Sequence, residues 1–219
     1  MSISVSANAE TAVAEPKTEE AAASYSHNFM RFAAGWYLSP SSNIGAGGYE
    51  VGIAYHRDIS GIALLGPSFY YTGMNGSLVL SDMPRYENSP ARTALSINQF
   101  RLGVKALVNP VPAWKLPRMK YVWPYLGLDT GLAVHYVTDR GASSIRVNQS
   151  SADFYIKPLI GILAFPRSPL TFYVEAGYNM VPTYAFMDKR FNLYGKPDPY
   201  GASLNTDGFV LEFGLSYNF

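Results

Sequence analysis

The chain has 219 residues, enough for one substantial domain, and its formal net charge of +1 gives no electrostatic reason to expect a nucleic-acid partner. Charged residues make up 15% of the chain, below the roughly 25% usual for soluble domains, and aromatic residues also make up 15%. The chain contains no cysteine, which excludes disulfides and a cysteine nucleophile, and it has no run of about 18 apolar residues that could form a membrane-spanning helix.

The first 27 residues differ in composition from the rest of the chain. They are rich in Ala, Glu, Ser and Thr and have almost no large apolar side chain, which predicts a disordered segment ahead of a folded domain at 28–219. Ala7-Asn8-Ala9 has the small-x-small spacing of a signal-peptidase site, but residues 1–6 lack the charged and apolar regions that normally precede one. We interpret residues 1–27 as a periplasmic tail or as a segment in which 1–9 are the remnant of an export signal.

Eight segments of alternating hydrophobicity follow, and none of them has a convincing helical period. Clusters of Gly, Pro, Asn, Asp and Ser separate them, as expected between strands. The pattern predicts an all-β fold with eight antiparallel strands connected up and down, at 29–38, 47–57, 61–73, 93–108, 119–138, 152–165, 170–182 and 207–219.

The connections between these segments alternate in length. Short turns join the second strand to the third and the sixth to the seventh, whereas 74–92, 139–151 and 183–206 are long. Barrels of the outer membrane have short periplasmic turns and longer outward loops, so both termini are expected on the periplasmic side. The link at 109–118 is long for a periplasmic turn, and its Trp114 suits the membrane interface.

Each strand has one strongly apolar face and one face of small, aromatic-polar and charged residues. In the second strand, Glu50 and His56 share a face, opposite Val51 and Ile53. Charges on the polar faces are in near balance of sign, and an unpaired charge in a narrow interior would be costly. We therefore predict a buried ion-pair network of Arg31, Glu50, Arg101, Lys105, Asp129, Lys157, Glu175 and Glu212.

Two kinds of eight-stranded barrel fit this alternation. A lipocalin-like soluble barrel would place the apolar faces inside, and a transmembrane barrel would place them outside. Glycines recur on the polar faces, where small residues make room for large neighbours in a narrow interior, and the apolar faces are too bulky for one interior to hold. The pattern favours a transmembrane β-barrel.

Three stretches, at 124–133, 173–178 and 212–219, carry a resemblance to a known family. With these alternating Gly, acidic and aromatic residues, the region from 28 to 219 resembles the small eight-stranded outer-membrane barrels of the OmpA transmembrane-domain and OmpX type. The resemblance implies a Gram-negative outer membrane, contact with its lipid and lipopolysaccharide, and insertion by the outer-membrane assembly machinery. That machinery would recognise the closing strand through Phe213, Leu215, Tyr217 and the terminal Phe219.

Enzymatic and metal-binding functions have little support. Some eight-stranded barrels modify lipid A with a His-Ser-acid group, and the deacylase signature has Ser two residues after His, whereas Val137 follows His135 at that spacing. No pair of histidines stands at metal-ligand spacing. We predict no catalytic residue, metal or cofactor.

The long segment before the last strand is the best candidate for a binding loop. It combines aromatic and cationic side chains, types that are enriched in binding hot spots, although they would also suit packing onto the barrel rim: Tyr184, Phe186, Lys189, Arg190, Phe191, Tyr194 and Tyr200.

The sequence therefore predicts a structural or surface-interaction role through loops near 39–46, 74–92, 139–151 and 184–206. The alternatives are a small pore or hydrophobic-ligand binder, and a lipid A modifying enzyme. An envelope protein bound through residues 1–27 would make the chain a subunit of a complex.

Overall fold

The computed structural model describes residues 28–39, 46–59, 62–79, 92–109, 121–139, 148–166, 168–181 and 206–219. They form one closed antiparallel barrel in which every strand pairs with its neighbours in chain order. The predicted all-β, eight-stranded up-and-down fold is confirmed. The strands are β1 (Asn28–Ser39), β2 (Ala46–Asp58), β3 (Ala63–Val79), β4 (Arg92–Val108), β5 (Val122–Asp139), β6 (Asn148–Ala164), β7 (Leu170–Asn179) and β8 (Gly208–Asn218).

The barrel closes where the last strand pairs with the first. The β1–β8 ladder runs from Phe29 opposite Asn218 to Leu38 opposite Phe209. Beyond it, the Phe219 backbone N–H donates to the Asn28 carbonyl oxygen at 3.0 Å. Closure satisfies backbone groups that would otherwise form an exposed sheet edge. None of the described residues forms a helix long and apolar enough to cross a membrane.

The two ends of the barrel differ, and we name them for what they carry. The terminal end carries Asn28, Phe219 and the turns from β2 to β3 and from β6 to β7. The first turn is closed by a 2.9 Å bond from Ile59 N–H to the Ala63 carbonyl, and the second by a 2.9 Å bond from Ser168 N–H to the Phe165 carbonyl. At the distal end, residues 40–45, 80–91, 140–147 and 182–205 connect the strands.

Strand β3 continues past its predicted end at residue 73 and reaches Val79, which pairs with Arg92 of β4. The predicted end falls on Gly73, where a Cβ atom would lie 2.9 Å from the Tyr49 ring on β2. The glycine provides space for that ring within the sheet. Farther along the distal rim, β6 begins at Asn148 instead of 152 because it pairs with β5 as far as Thr138.

Strand β7 is shorter than predicted and ends at Asn179 instead of 182. Its continuous ladder with β6 stops at Leu159 opposite Gly177, and the next residue of β6 is Pro158. Proline has no N–H to donate to a ladder. Pairing resumes for one bridge, in which Ile156 and Met180 exchange backbone bonds of 2.9 and 2.8 Å.

The outer surface of the barrel is apolar. Exposed Phe, Leu, Ile, Val and Trp side chains occur on all eight strands, while the charged residues in the middle of the strands are buried. This arrangement is the reverse of a soluble calyx and is that of a barrel that spans a membrane. The shortest strand, β7, has 10 residues, which is within the range of about 9–11 that a tilted strand needs to cross.

Aromatic side chains form rows on the outer surface near both ends. Toward the distal end, Tyr49, Tyr71, Phe100 and Tyr136 follow one another across β2 to β5, with successive ring centroids 5.9, 5.1 and 6.0 Å apart. At the terminal end, Tyr121 lies against Phe165 and Tyr217 against Phe219. Such amphipathic rings suit the two interfaces between hydrocarbon and water.

Inside the barrel, large tyrosine rings lie against glycines on neighbouring strands. A Cβ atom added to Gly52 would collide with the buried ring of Tyr70, its register partner. The same relation holds for Gly161 under Tyr125 and Gly214 under Tyr173, and a Cβ atom on Gly208 would collide with the ring of Tyr37, which is not its register partner. Glycine on the inner face thus leaves the space that a tyrosine ring needs in a narrow lumen.

Substitution of Gly52 by Ala should therefore destabilise the barrel by about 1–3 kcal/mol, the usual cost of overpacking a filled interior. Gly47→Ala is the matched control on the same strand, because its Cβ would have its nearest neighbour at 3.8 Å. The measurement is the urea midpoint at which the SDS-resistant folded band disappears. Equal midpoints for the two variants would contradict the proposed packing.

Candidate functional site

The most distinctive internal feature is a layer of eight charged side chains, each at most 3% exposed. They come from seven of the eight strands and project inward because each lies on the polar face of its strand. The layer contains four cations and four carboxylates: Arg31, Arg101, Lys105, Lys157, Glu50, Asp129, Glu175 and Glu212.

Two cations share the carboxylate of Glu175 toward the terminal end. Arg31 Nη1 lies 2.7 Å from Oε1, and Lys105 Nζ lies 2.5 Å from Oε2. The Tyr125 hydroxyl donates to Oε1 at 2.7 Å and accepts from Arg31 Nη2 at 2.7 Å. The guanidinium also lies over the Tyr173 ring, 3.7 Å from its centroid. This cluster holds two positive charges and one negative charge.

A second cluster is centred on Glu50 at the middle of the barrel. Glu50 forms ion pairs with Arg101 and with Lys157, the latter at 3.0 Å, and accepts a 2.8 Å bond from the Thr72 hydroxyl. Lys157 also forms an ion pair with Glu212. This cluster is neutral, with two cations and two carboxylates.

Asp129 lies in the same layer but is held differently from the other carboxylates. Its Oδ1 accepts bonds from the Ser68 hydroxyl at 2.7 Å and the Tyr155 hydroxyl at 2.8 Å. It makes no ion pair with any of the described residues. The expected pairing of Asp129 with a cation is therefore not what the structure has. Lys105 and Lys157 are its register partners, but their ammonium groups pair with glutamates instead, and hydroxyl donors take their place at Asp129.

Several of these contacts cross the barrel. The bond from Arg31 to Tyr125 joins β1 to β5, and the ion pair of Lys157 with Glu50 joins β6 to β2. In an eight-stranded barrel these strands are diametrically opposed. Arg101 Nη1 also reaches Asn179 on β7 at 2.9 Å. The layer thus fills the middle of the lumen with side chains that bond each other.

A smaller polar group lies nearer the distal end. His135 Nε2 is 3.6 Å from Asp153 Oδ2, and the Ser151 hydroxyl is 3.4 Å from the same oxygen. Ser151 was not predicted from the sequence as a neighbour of His135, because the two residues lie side by side only through the pairing of β5 with β6. A nucleophilic serine needs its hydroxyl on the histidine, whereas the Ser151 hydroxyl contacts the Asp153 carboxylate and the His135 ring contacts Asp153 and the Gln99 amide nitrogen.

The part of the chain that the structure describes contains no candidate metal site. No group of three or more His, Asp or Glu side chains there could hold an ion. The candidate binding-loop residues Tyr184, Phe186, Lys189, Arg190, Phe191, Tyr194 and Tyr200 lie outside the described residues, as do 1–27 and Trp114.

The four residues of the predicted assembly signal share the outer face of β8. Phe213, Leu215, Tyr217 and Phe219 are all exposed there, and the Tyr217 and Phe219 rings stack with centroids 5.9 Å apart. They present a continuous apolar ridge that ends at the terminal rim.

Removal of the Glu50 charge should strongly destabilise the barrel. Among the described residues, Glu50→Gln leaves Arg101 with no ion-pair partner and Lys157 with Glu212 alone, and breaking a buried pair costs about 3–5 kcal/mol. Glu212→Gln is the matched comparison, because Glu212 contacts one cation instead of two, and its cost should be smaller.

Urea midpoints of the folded band give both values. The double variant Glu50→Gln/Lys157→Met should lose less than the sum of its single variants, since the two residues are in contact. Additive losses, or an unchanged midpoint for Glu50→Gln, would show that the ion pairs do not support the fold.

No protein-family model matches the chain, and no curated protein matches it significantly. Solved structures do match its fold. Neisserial surface protein A is 15% identical, with a TM-score of 0.50 over 88% of this chain and 96% of that one. OprG from Pseudomonas aeruginosa is 12% identical, with a TM-score of 0.53 over 89% and 97%. A major outer membrane protein from Thermus thermophilus is also 12% identical, with a TM-score of 0.53 over 88% and 99%. The chain has the fold of the small eight-stranded outer-membrane β-barrels.

Proposed function

We propose that this protein is a closed, non-conducting barrel of the Gram-negative outer membrane whose role is structural or lies in surface interaction. The observation that carries the proposal is the charged layer that crosses the lumen from β1 to β5 and from β2 to β6. A path for ions would have to break these buried contacts. The barrel is then a scaffold, and its interactions with other molecules occur at its surface.

The orientation follows from the connections. Short turns belong on the periplasmic side of outer-membrane barrels, so the terminal end faces the periplasm and the distal end faces outward. The aromatic row of Tyr49, Tyr71, Phe100 and Tyr136 then lies at the outer leaflet. Lipid and lipopolysaccharide are the first proposed partners. The outward connections, residues 182–205 above all, would make contacts beyond the membrane, including any with another envelope protein.

The proposal predicts that the folded protein is silent in planar bilayers. Opening the lumen should change this: Glu50→Ala with Lys157→Ala removes the β2–β6 contact and should permit small conductance steps. A shift in gel mobility on boiling verifies that each preparation is folded. Regular steps from the unmodified protein would reject the scaffold in favour of a pore.

The surface role is tested with the same preparations in lipid discs, using labelled lipopolysaccharide as the probe. Replacing Phe186, Lys189, Arg190 and Phe191 together by Ser should reduce the capture of lipopolysaccharide severalfold. The control replaces Arg85 and Tyr86, in the connection 80–91, by Ser and should reduce this capture less. Equal capture of lipopolysaccharide by the unmodified protein and both variants would show that residues 182–205 do not bind it. The structural role would then be the one that stands.

The closing strand provides a test of assembly. If the outer-membrane assembly machinery reads the terminal ridge, Phe219→Ala should lower the fraction of folded protein in cell membranes severalfold while leaving refolding in detergent unchanged. Phe209→Ala is the matched control, because Phe209 is an exposed ring on the same strand that packs on Tyr178 near the other rim. Equal effects of the two variants in cells would contradict a signal at the C-terminal residue.

A further inference from the structure

One cation lies on the outer surface of the barrel, apart from the charged layer. Arg57 is near the end of β2 and, by the alternation of the strand, shares an outward row with Ile53, Tyr55 and, just past the strand, Ile59. Among the charged strand residues whose side chains the structure describes, Arg57 alone is exposed. A cation among apolar side chains on a surface that faces lipid needs a counterion or a route to water.

The guanidinium of Arg57 is unused within the described part of the chain. It takes part in none of the ion pairs or side-chain hydrogen bonds among the described residues. Asp58 follows it directly, but Asp58 pairs in register with the buried Leu64 and so falls on the opposite face of the sheet. The C-terminal carboxylate of Phe219 is two strands away, because Asn28 lies between Arg57 and Phe219 in the pairing of the strands.

The neighbours of Arg57 are those of a membrane interface. The Tyr55 hydroxyl donates to Asn28 Oδ1 at 2.6 Å, beside Arg57 at the terminal end. On β8, the exposed rings of Tyr217 and Phe219 lie at the same end of the outer surface. Aromatic rings with polar groups beside them favour the boundary between hydrocarbon and water. The aliphatic stem of Arg57 can therefore lie on the apolar surface while its charged head reaches the level of the lipid headgroups.

We propose that Arg57 binds the phosphate of a glycerophospholipid in the membrane leaflet at the terminal end. A guanidinium has parallel N–H donors that match two phosphate oxygens, and its single positive charge complements the single negative charge of a phosphodiester. The acyl chains of the lipid would lie along β2 and β3 over Leu65, Ile53 and Phe69, which are exposed on the outer face. The headgroup and the chains of the lipid thus each meet a complementary surface.

This inference deepens the proposed contact with lipid, and it takes its leaflet, the periplasmic one, from the proposed orientation. The chain contains no cysteine, so Ile59→Cys would carry the single thiol of the protein, at an exposed position near Arg57. A membrane-impermeant maleimide should label this thiol only after the outer membrane is permeabilised. Labelling in intact cells would overturn the leaflet and the proposed orientation together, whereas lipid binding by the purified protein does not depend on orientation.

Native mass spectrometry of the full-length protein in a phosphate-free detergent measures the binding, with dioleoylphosphatidylglycerol as the probe. A single lipid should stay bound under activation that strips the others. Arg57→Gln should lower its retained fraction severalfold, and Arg57→Lys, which keeps the charge without the fork of donors, should lower it less. Val108→Gln is the matched control and should change nothing, because Val108 is an exposed residue at the terminal end of β4. Equal retention by the unmodified protein and Arg57→Gln would overturn the proposal.

Two further probes separate the phosphate from the chains. Dioleoylglycerol has the same chains without the phosphate, and inorganic phosphate has no chains, so each should be retained severalfold less than the phospholipid. Equal retention of dioleoylglycerol would show an apolar surface alone, and equal retention of inorganic phosphate an ion contact alone. A dimer of the chain that Arg57→Gln abolishes would show a second copy in place of the lipid. Each of these results would overturn the proposal. Boiling-dependent gel mobility verifies that the variants fold, and Arg57→Met replaces Arg57→Gln if the latter does not.

Discussion

Every part of this structure depends on one constraint, the need of each backbone N–H and C=O in hydrocarbon to find a partner within the protein. A sheet meets that need only by closing, and here β8 closes onto β1 over ten register pairs. Closure with eight strands fixes a narrow interior, and the alternation of side chains then allots every second residue to it. For this reason apolar residues face lipid and polar residues face inward. The inward side chains must fill the interior and pair with one another through hydrogen bonds and ion pairs.

The glycines and the charges of the interior are parts of one arrangement. The rings of the inner tyrosines lie against neighbouring strands, and a glycine on each of those strands leaves the space that the ring occupies. The hydroxyl so placed then serves the charged layer: Tyr70 accepts from Lys105 at 2.9 Å, Tyr125 donates to Glu175, and Tyr155 donates to Asp129. Substituting one of these glycines would therefore disturb ion pairs as well as packing, because the ring and its hydroxyl move together.

The sequence predicted the strands and their faces because both depend on a period of two, which is local. It could not predict features that depend on a partner strand. The continuation of β3 past Gly73 depends on its pairing with β4 as far as Arg92, and the early end of β7 follows from Pro158 on β6. The charged residues of the layer could be named because they share the inward face. Their partners could not, since the Ser68 hydroxyl reaches Asp129 from β3 and Ser151 lies opposite His135 only through the register of β5 with β6.

The distribution of charge along the barrel limits where its chemistry can occur. At the middle, Glu50, Glu212, Arg101 and Lys157 neutralise one another, and their contacts cross the lumen. Toward the terminal end, two cations share Glu175, and the lining turns from polar to apolar within one layer. Buried charges are costly unless they are compensated, and Asp129, the register partner of Lys105, supplies the fourth carboxylate of the layer against its four cations. The packed middle thus separates two ends that differ in chemistry, and each end meets a different side of the membrane.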